Sequence, residues 1–477
     1  MKAALPRAQS PEPSPKPKAQ SLFVTTTSIA IVGGGIAGLA AAYELTSRGI
    51  PFHLFERSPR LGGIIRTEHV DGFVIEAGPD SFLAQKPAAL ELCRSLGLES
   101  QLIVTAPPRT AFVLKGGRLH SLPSPSVLGI PTTWRGIAGY RLLGPAARMR
   151  LALEPLVPKR RRDGDESVGS FFCRRFGRAT VPLVAEPLLG GIHAGDIGSL
   201  SISSLFPRFV EAERRHGTVL RAFANTQRVP PDGMFRSLAG GMGDLVRVLE
   251  ERMPAESIHR DAPVESLARE GKEWRVVAGG IQYTVRGVVL ACPAREAARL
   301  LQPLDTRASE LCQQVPYVST VSVALAWPRG AVQHPLRGSG FVVARRLNAL
   351  RITACTWVSS KWSGRAPAGT VLLRAFAGGS HDPGAVDLDD RALVDMATRD
   401  LSGILGITGP PLLWRVYRWR DAGAQHNVGH LSRVSEIEGR LGPYPGLVVA
   451  GSGFRSVGIP DCIADGRAAA AACANIE

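Results

Sequence analysis

Apolar positions change their spacing several times along this chain. From Ser28 to Val32 they run without a break, as in a strand buried on both faces. From Ile36 to Arg48 they follow a helical pattern, and Gly49 supplies a stop. Pro51–Glu56 reads as a second strand, so the chain opens as a βαβ unit. Proline-punctuated stretches such as Leu142–Leu153 and Ser167–Phe176 predict a helical segment over 107–236. Ala239–Met253 starts in glycines and continues as a helix. Five runs then alternate with turn residues and predict a meander: Ile258–His259, Val264–Leu267, Trp274–Ala278, Ile281–Val285 and Val288–Cys292. Residues 318–376 read mostly as strand, and the segment from Leu447 returns to strand, loop and helix. Residues 1–27 hold five prolines and few large apolar groups, which predicts a disordered tail.

The length of 477 residues implies two or three domains. The longest apolar run, Ile29–Tyr43, is interrupted by four glycines and is too short to span a membrane. A formal charge of +16 raises nucleic acid or anionic lipid as partners. Only eight of the 57 basic residues are lysine, however, and the Arg, Ala, Gly and Pro richness together points to compositional bias. No nucleic-acid partner is expected; an acidic substrate or a lipid surface accounts for the remainder. The seven cysteines form no CxxC, and His426 and His430, four apart, have no HExxH around them. A reducing, cytoplasmic setting without a metal site is expected.

The chemistry is carried by "GGGIAG". Gly33, Gly35 and Gly38 follow a strand and open a helix. The first permits a tight turn, the second lets backbone approach a pyrophosphate, and the third lets helix pack on strand. Gly34, Ile36 and Ala37 complete the loop and the first helical turn, whose free N–H groups favour a phosphate. Glu56 ends the second strand, where its carboxylate can accept from a ribose. Arg57 follows it. Arg60, Gly62, Gly63 and Ile64 lie just beyond, so a second backbone segment can lie close to a bound dinucleotide.

This extension, with "GFVIEAGPDSF" around Gly78 and "AGSGFRSVGIPDCIADGRAAA" at the far end, resembles the flavin-binding amine-oxidase-like superfamily. Three longer segments (Asp165–Val219, Cys355–Gly379 and Tyr417–Leu431) resemble the oxygen-dependent porphyrinogen oxidases, bacterial branch, over about residues 28 to 475. The resemblance implies an α/β protein: a discontinuous Rossmann-like FAD-binding domain over 28–106, 237–318 and 430–477, a helical membrane-contact segment over 107–236, and a strand-rich substrate domain over 319–429. It implies non-covalent FAD, with Val264 at the adenine and Val457, Gly458 and Ile459 at the flavin end. It further implies a porphyrinogen substrate, coproporphyrinogen III or protoporphyrinogen IX. A bridging carbon would give hydride to the flavin, and O2 would be reduced to H2O2. A peripheral contact at the inner face of the membrane is expected, and a homodimer is left open.

One departure bears on the substrate. Plant and animal relatives carry an arginine where "RTAFVLKGGRLHSLP" has Ala111. Arg109 is then the nearest candidate carboxylate anchor, with Phe112 beside it. No nucleophile–base set stands out, so the catalytic residues stay unassigned and the reaction centres on the flavin. A flavin amine oxidase is the alternative. Against it, no lysine lies between Lys272 and Lys361, and Phe454 has no tyrosine beside it. A non-catalytic flavoprotein is the third reading.

Overall fold

The computed structural model describes residues 28–160, 164–224, 232–455 and 457–475. The tail expected over 1–27 lies outside the described residues. The first strand is Ile29–Val32 and its helix Ile36–Ser47, with Arg48 as the C-cap and Gly49 at φ +65°. Phe52–Phe55 pairs parallel to the first strand. Gly287–Leu290 pairs on its other side. Ile258–His259 and Leu447–Val449 complete a five-stranded parallel sheet. In chain order its strands lie third, second, first, fourth, fifth, which is the doubly wound arrangement of a Rossmann-like fold.

The expected five-run meander is therefore only three strands long. Val264–Glu270, Glu273–Ala278 and Ile281–Val285 form it. The outer two runs join the parallel sheet instead. Gly287–Leu290 is buried throughout, as a central strand must be, and tight turns on both sides had disguised it.

A seven-stranded sheet forms the second body. Leu413–Ala424, Tyr317–Pro328, Thr370–Gly378, Ala354–Trp357 and Gly340–Val343 follow one another antiparallel; Ala111–Lys115 then adds parallel and Arg118–Ser121 antiparallel. The stretch expected to be helical from residue 107 thus begins as a hairpin. Alternating apolar residues around Gly116-Gly117, both at positive φ, explain it. Helices begin at Trp134 and continue through Val219–Ala224. They enclose a separate apolar core around Phe171, Phe172, Phe176 and Phe209. Within this layer Val181–Gly190 is a π-helical segment containing Pro187, whose missing N–H and bulk suit a wider helix.

The C-terminal helix, Ile459–Ala474, lies directly on the first helix. A Cβ on Gly466 would collide with the carbonyl oxygen of Ala37. By contrast, Gly403 sits exposed within the helix Asp390–Leu405, with open space where a Cβ would go. The same substitution should therefore have opposite signs at the two sites. Gly466→Ala is expected to destabilise by about 1–3 kcal/mol through overpacking. Gly403→Ala should stabilise by up to about 1 kcal/mol through helix propensity. Thermal melting of the two variants side by side checks this, and equal shifts would contradict it.

Candidate functional site

The glycine loop lies beyond the carboxyl ends of the parallel strands, where open α/β sheets bind their ligands. Its three glycines answer to different constraints. Gly33 has φ +109°, and its missing Cβ would meet the Ala291 carbonyl oxygen at 2.7 Å. A Cβ on Gly38 would collide with the Gly33 carbonyl oxygen. A Cβ on Gly35 would meet nothing within 4 Å among the described residues. Neighbouring chain therefore requires glycine at the first and third positions, while the second borders open space. Gly35 also caps the helix without a side-chain hydrogen bond, so no side chain of its own satisfies the first-turn N–H groups.

Glu56 closes one side. Its Oε2 accepts from Gly34 N at 2.8 Å, and its Oε1 accepts from Ser58 N at 2.8 Å and Ser58 Oγ at 2.7 Å. A carboxylate has about four acceptor positions, so capacity remains for a further donor. Gly62 N donates to Gly34 O at 2.8 Å. Gly62 and Gly63 both have positive φ, and a Cβ on Gly63 would come within 3.3 Å of the Gly35 Cα. Arg60 turns inward, donating to Gly63 O at 2.6 Å and more weakly to Leu61 O and Ile65 O. Its guanidinium lies 6.0 Å from the centre of the Trp419 ring. Arg57 instead faces outward and pairs with Glu296 at 3.2 Å. Val264 is buried, with Arg299 donating to its carbonyl at 2.5 Å. Gly458 caps the C-terminal helix, Ile459 is its buried first residue, and Val457 precedes them half-buried. These features fit a dinucleotide: open space beside Gly35, a helix start that no side chain caps, and a carboxylate with spare acceptor capacity.

The Gly78 turn joins the two bodies. A Cβ on Gly78 would collide with Ile64 O, so turn and loop are in backbone contact. Three successive carbonyls of this turn are taken by side chains of the seven-stranded sheet. Arg374 Nη1 donates to Glu76 O and Gly78 O, both at 2.7 Å. Ser322 Oγ and Trp419 Nε1 each donate to Ala77 O at 2.9 Å. Beneath the turn lies a buried charge cluster. Lys361 donates to Asp80 at 2.9 and 3.2 Å, and Trp362 Nε1 donates to it at 3.2 Å. Burial would raise the Asp80 carboxyl, but Lys361 and Arg374 hold it well below the usual range. Burial pushes Glu76 upward, against the Met242 N–H it accepts at 2.7 Å and the nearby Arg365. Sequence reasoning missed Arg374. Its signal was a lone charge inside the apolar run "VLLRAF", which only a buried partner could justify.

Register fixes which side chains share the face under this turn. Ala111 pairs with Gly340, then Thr356, Arg374 and Ala324; Val113 pairs with Val342, then Ala354, Phe376 and Ser322. Phe112 pairs with Phe341, Cys355, Ala375 and Val323, and so lies on the opposite face. There its ring packs 5.5 Å from that of Trp357. Phe112, expected beside the substrate, is thus partly buried against the core on the face opposite Ala111. Arg109 lies at the entrance to this strand, its Nε donating to Thr105 O at 2.9 Å and Thr105 Oγ1 at 3.0 Å.

The C-terminal loop is held from below by histidines. His426 precedes the helix His430–Leu441, so the two rings do not share a helical face. They stack instead, with centres 3.8 Å apart and planes 11° apart, both fully buried. His426 Nε2 donates to Ser452 O at 2.9 Å, and His430 Nε2 donates to Phe454 O at 2.7 Å. Burial lowers both rings, His430 to about 4, and the facing His426 adds to that. Of the charged groups near His430, Arg433 acts in the same direction and Asp165 opposes. Burial and His426 likewise lower His193 to about 4. Among the described residues no group of three or more His, Cys, Asp or Glu could hold a metal ion.

Comparison with known proteins agrees with this geometry. The chain matches the profile of the flavin containing amine oxidoreductase family over residues 36–474. It is 36% identical over 457 residues to the coproporphyrinogen III oxidase of Bacillus subtilis (strain 168), covering 92% of this chain and 96% of that one. To the chloroplastic protoporphyrinogen oxidase 1 of Spinacia oleracea it is 27% identical, with coverage of 91% and 81%. A crystal structure from Exiguobacterium sp. 255-15, provisionally named a protoporphyrinogen oxidase, superposes with a TM-score of 0.84 at 33% identity, covering 94% of this chain and 99% of that one. Reduced UDP-galactopyranose mutase shares the fold, with a TM-score of 0.71 at 16% identity and coverage of 93% and 95%.

Neutral histidines in the fold make stability depend on pH. With folded values near 4 for His193 and His430, the unfolded chain binds protons that the fold excludes below the ordinary value of about 6.5. Their contribution is complete above that pH and is lost as pH falls towards 4. The melting temperature should therefore drop across this window, and His430→Gln should flatten the drop while lowering the plateau. An unchanged slope in His430→Gln would assign the acid sensitivity to other groups.

Proposed function

The chain belongs to the flavin-containing amine oxidoreductase family, alongside the bacterial coproporphyrinogen III oxidases, and from that premise we propose that it is an FAD-dependent oxidase acting on a porphyrinogen, coproporphyrinogen III first. The observation that carries this reading is likeness along nearly the whole of both chains, 36% over 457 residues for the first of those relatives. Bound FAD supplies the two-electron acceptor and passes electrons to O2, giving H2O2. The polypeptide's part is to bind, orient and exclude water.

In this reading Gly33, Gly34, Gly35, Ile36, Ala37 and Gly38 cradle the pyrophosphate, and Glu56 accepts from the ribose. Arg60 braces Gly62, Gly63 and Ile64 from behind, and Gly78 closes the same wall. Val264 lies on the adenine side, and Val457, Gly458 and Ile459 at the flavin end. Arg57, paired with Glu296, marks the outer rim. The parallel-sheet body, 28–106 with 237–318 and 430–477, acts as the FAD domain. The face carrying Ala111, Thr356 and Phe376 is the substrate side. Among the described residues no helix is long and apolar enough to cross a membrane. Peripheral contact of a cytoplasmic protein with anionic lipid is supported by exposed Trp134, Met149, Leu153 and Leu156, in and between three consecutive short helices, with Arg135 and Arg148 among them.

The purified protein is expected to be yellow, to release FAD on acid precipitation, and to turn coproporphyrinogen III into fluorescent porphyrin. A tenfold preference in kcat/KM for protoporphyrinogen IX, about 1.4 kcal/mol, would reverse the substrate assignment. Gly35→Val should fold, since open space surrounds that position, yet carry no flavin. Glu56→Ala should weaken FAD binding by about 1–3 kcal/mol. Full flavin occupancy in Gly35→Val would remove the cofactor from this loop.

A further inference from the structure

The substrate-side face ends in an arginine that the fold itself does not use. Gly340–Val343 leads into a single helical turn, Arg345–Leu347. Arg345 is half-buried. Among the described residues its guanidinium makes no hydrogen bond and no ion pair. Burial lowers its pKa, while Glu186 and Asp382 act on it only through space. Each carboxylate has a nearer arginine, although the buried Glu186 Oε2 accepts no hydrogen bond. Arg346 Nε lies 3.3 Å from Glu186 Oε2, and Arg351 donates to both oxygens of Asp382 at 2.9 and 3.0 Å. Three arginines thus share two carboxylates, and Arg345 is the one left over. A partly desolvated guanidinium without a partner is costly, and an anion would satisfy it.

Its position suits a ligand lying on the face already described. Val342, three residues earlier, shares a row with Val113, Ala354 and Phe376. Ala344 packs into the same core as Val113 and the π-helical segment. The strand ends at Val343, and the helical turn carrying Arg345 follows directly. A flat ligand resting on the rows of Arg374 and Phe376 would present its rim there. The two other candidates differ from it. Ala111 has no polar side chain, and the Arg109 Nε is taken by Thr105.

We propose that Arg345 is a carboxylate anchor for the substrate, gripping a propionate at the rim of the macrocycle. The proposal rests on the porphyrinogen reading above. It makes Arg345 a binding residue, remote from the bond that breaks, and so predicts a loss of uniform binding.

The test compares wild type, Arg345→Ala, Arg345→Lys and Arg346→Ala as flavin-loaded proteins. Steady-state oxidation of coproporphyrinogen III gives KM and kcat. Quenching of coproporphyrin III fluorescence gives a Kd that does not depend on turnover. Arg345→Ala should raise both KM and Kd about tenfold, the scale of one lost charged hydrogen bond, with kcat nearly unchanged. Arg345→Lys should recover part of the loss, and Arg346→Ala should change little. The tetramethyl ester of coproporphyrin III should bind wild type and Arg345→Ala equally. Wild-type turnover with an unchanged KM and Kd in Arg345→Ala overturns the anchor alone. Absence of wild-type turnover on any porphyrinogen overturns the substrate reading and the anchor with it.

Discussion

The structure depends on how the carbonyls of Glu76, Ala77 and Gly78 are satisfied. Buried carbonyls must find donors, and most turns find them locally or in water. Here the donors are Arg374, Ser322 and Trp419, all from the other sheet. The turn cannot move without leaving buried carbonyls unpaired, at about 1–3 kcal/mol for each such group. Gly78 in turn abuts Ile64 O, and Gly63 abuts Gly35. One set of side-chain hydrogen bonds on the second sheet therefore sets the height of the glycine loop on the first. The proposed flavin and substrate walls are aligned by the same contacts.

That arrangement explains the charge cluster beneath the turn. Arg374 is only 5% exposed, and so needs carboxylates near it as well as carbonyls. Asp80 and Glu76 provide them at 3.6 Å or through Arg365, and each carboxylate is also bonded by neutral donors: Ser81 and Trp362 to Asp80, Met242 N and Thr67 to Glu76. Removing a single member would strand a buried charge, which costs several kcal/mol, whereas the intact cluster contributes little net stability. Its value is geometric. It fixes the guanidinium that fixes the turn.

The parts of the molecule governed by local rules were legible in the sequence. The strand, glycine loop, helix and Glu56 follow from backbone spacing and from the chemistry of phosphate and ribose, and the geometry places them together. What depends on pairing between distant segments was not legible. Ile258–His259 and Gly287–Leu290 look like meander strands until their parallel partners are known. Phe112 looks like a neighbour of Ala111 until strand alternation sends it to the other face. His426 and His430 have helical spacing, but the helix starts only at His430, so the real contact is a ring stack supporting two loop carbonyls.

The glycines show why position in a motif and physical role have to be separated. Gly33, Gly38, Gly78 and Gly466 are all required by neighbouring backbone, so their presence explains packing whether or not a ligand binds. A fold of this kind would keep them even if it had lost its cofactor. Gly35 differs, because among the described residues nothing occupies the place of its missing side chain. An alanine there would be cheaper in chain entropy and would meet no clash within the chain. A ligand lying against that backbone would give a physical reason for glycine at this position. The proposed pyrophosphate, facing the start of the helix, would supply that reason. On that reading the functional content of the motif resides in its least constrained residue.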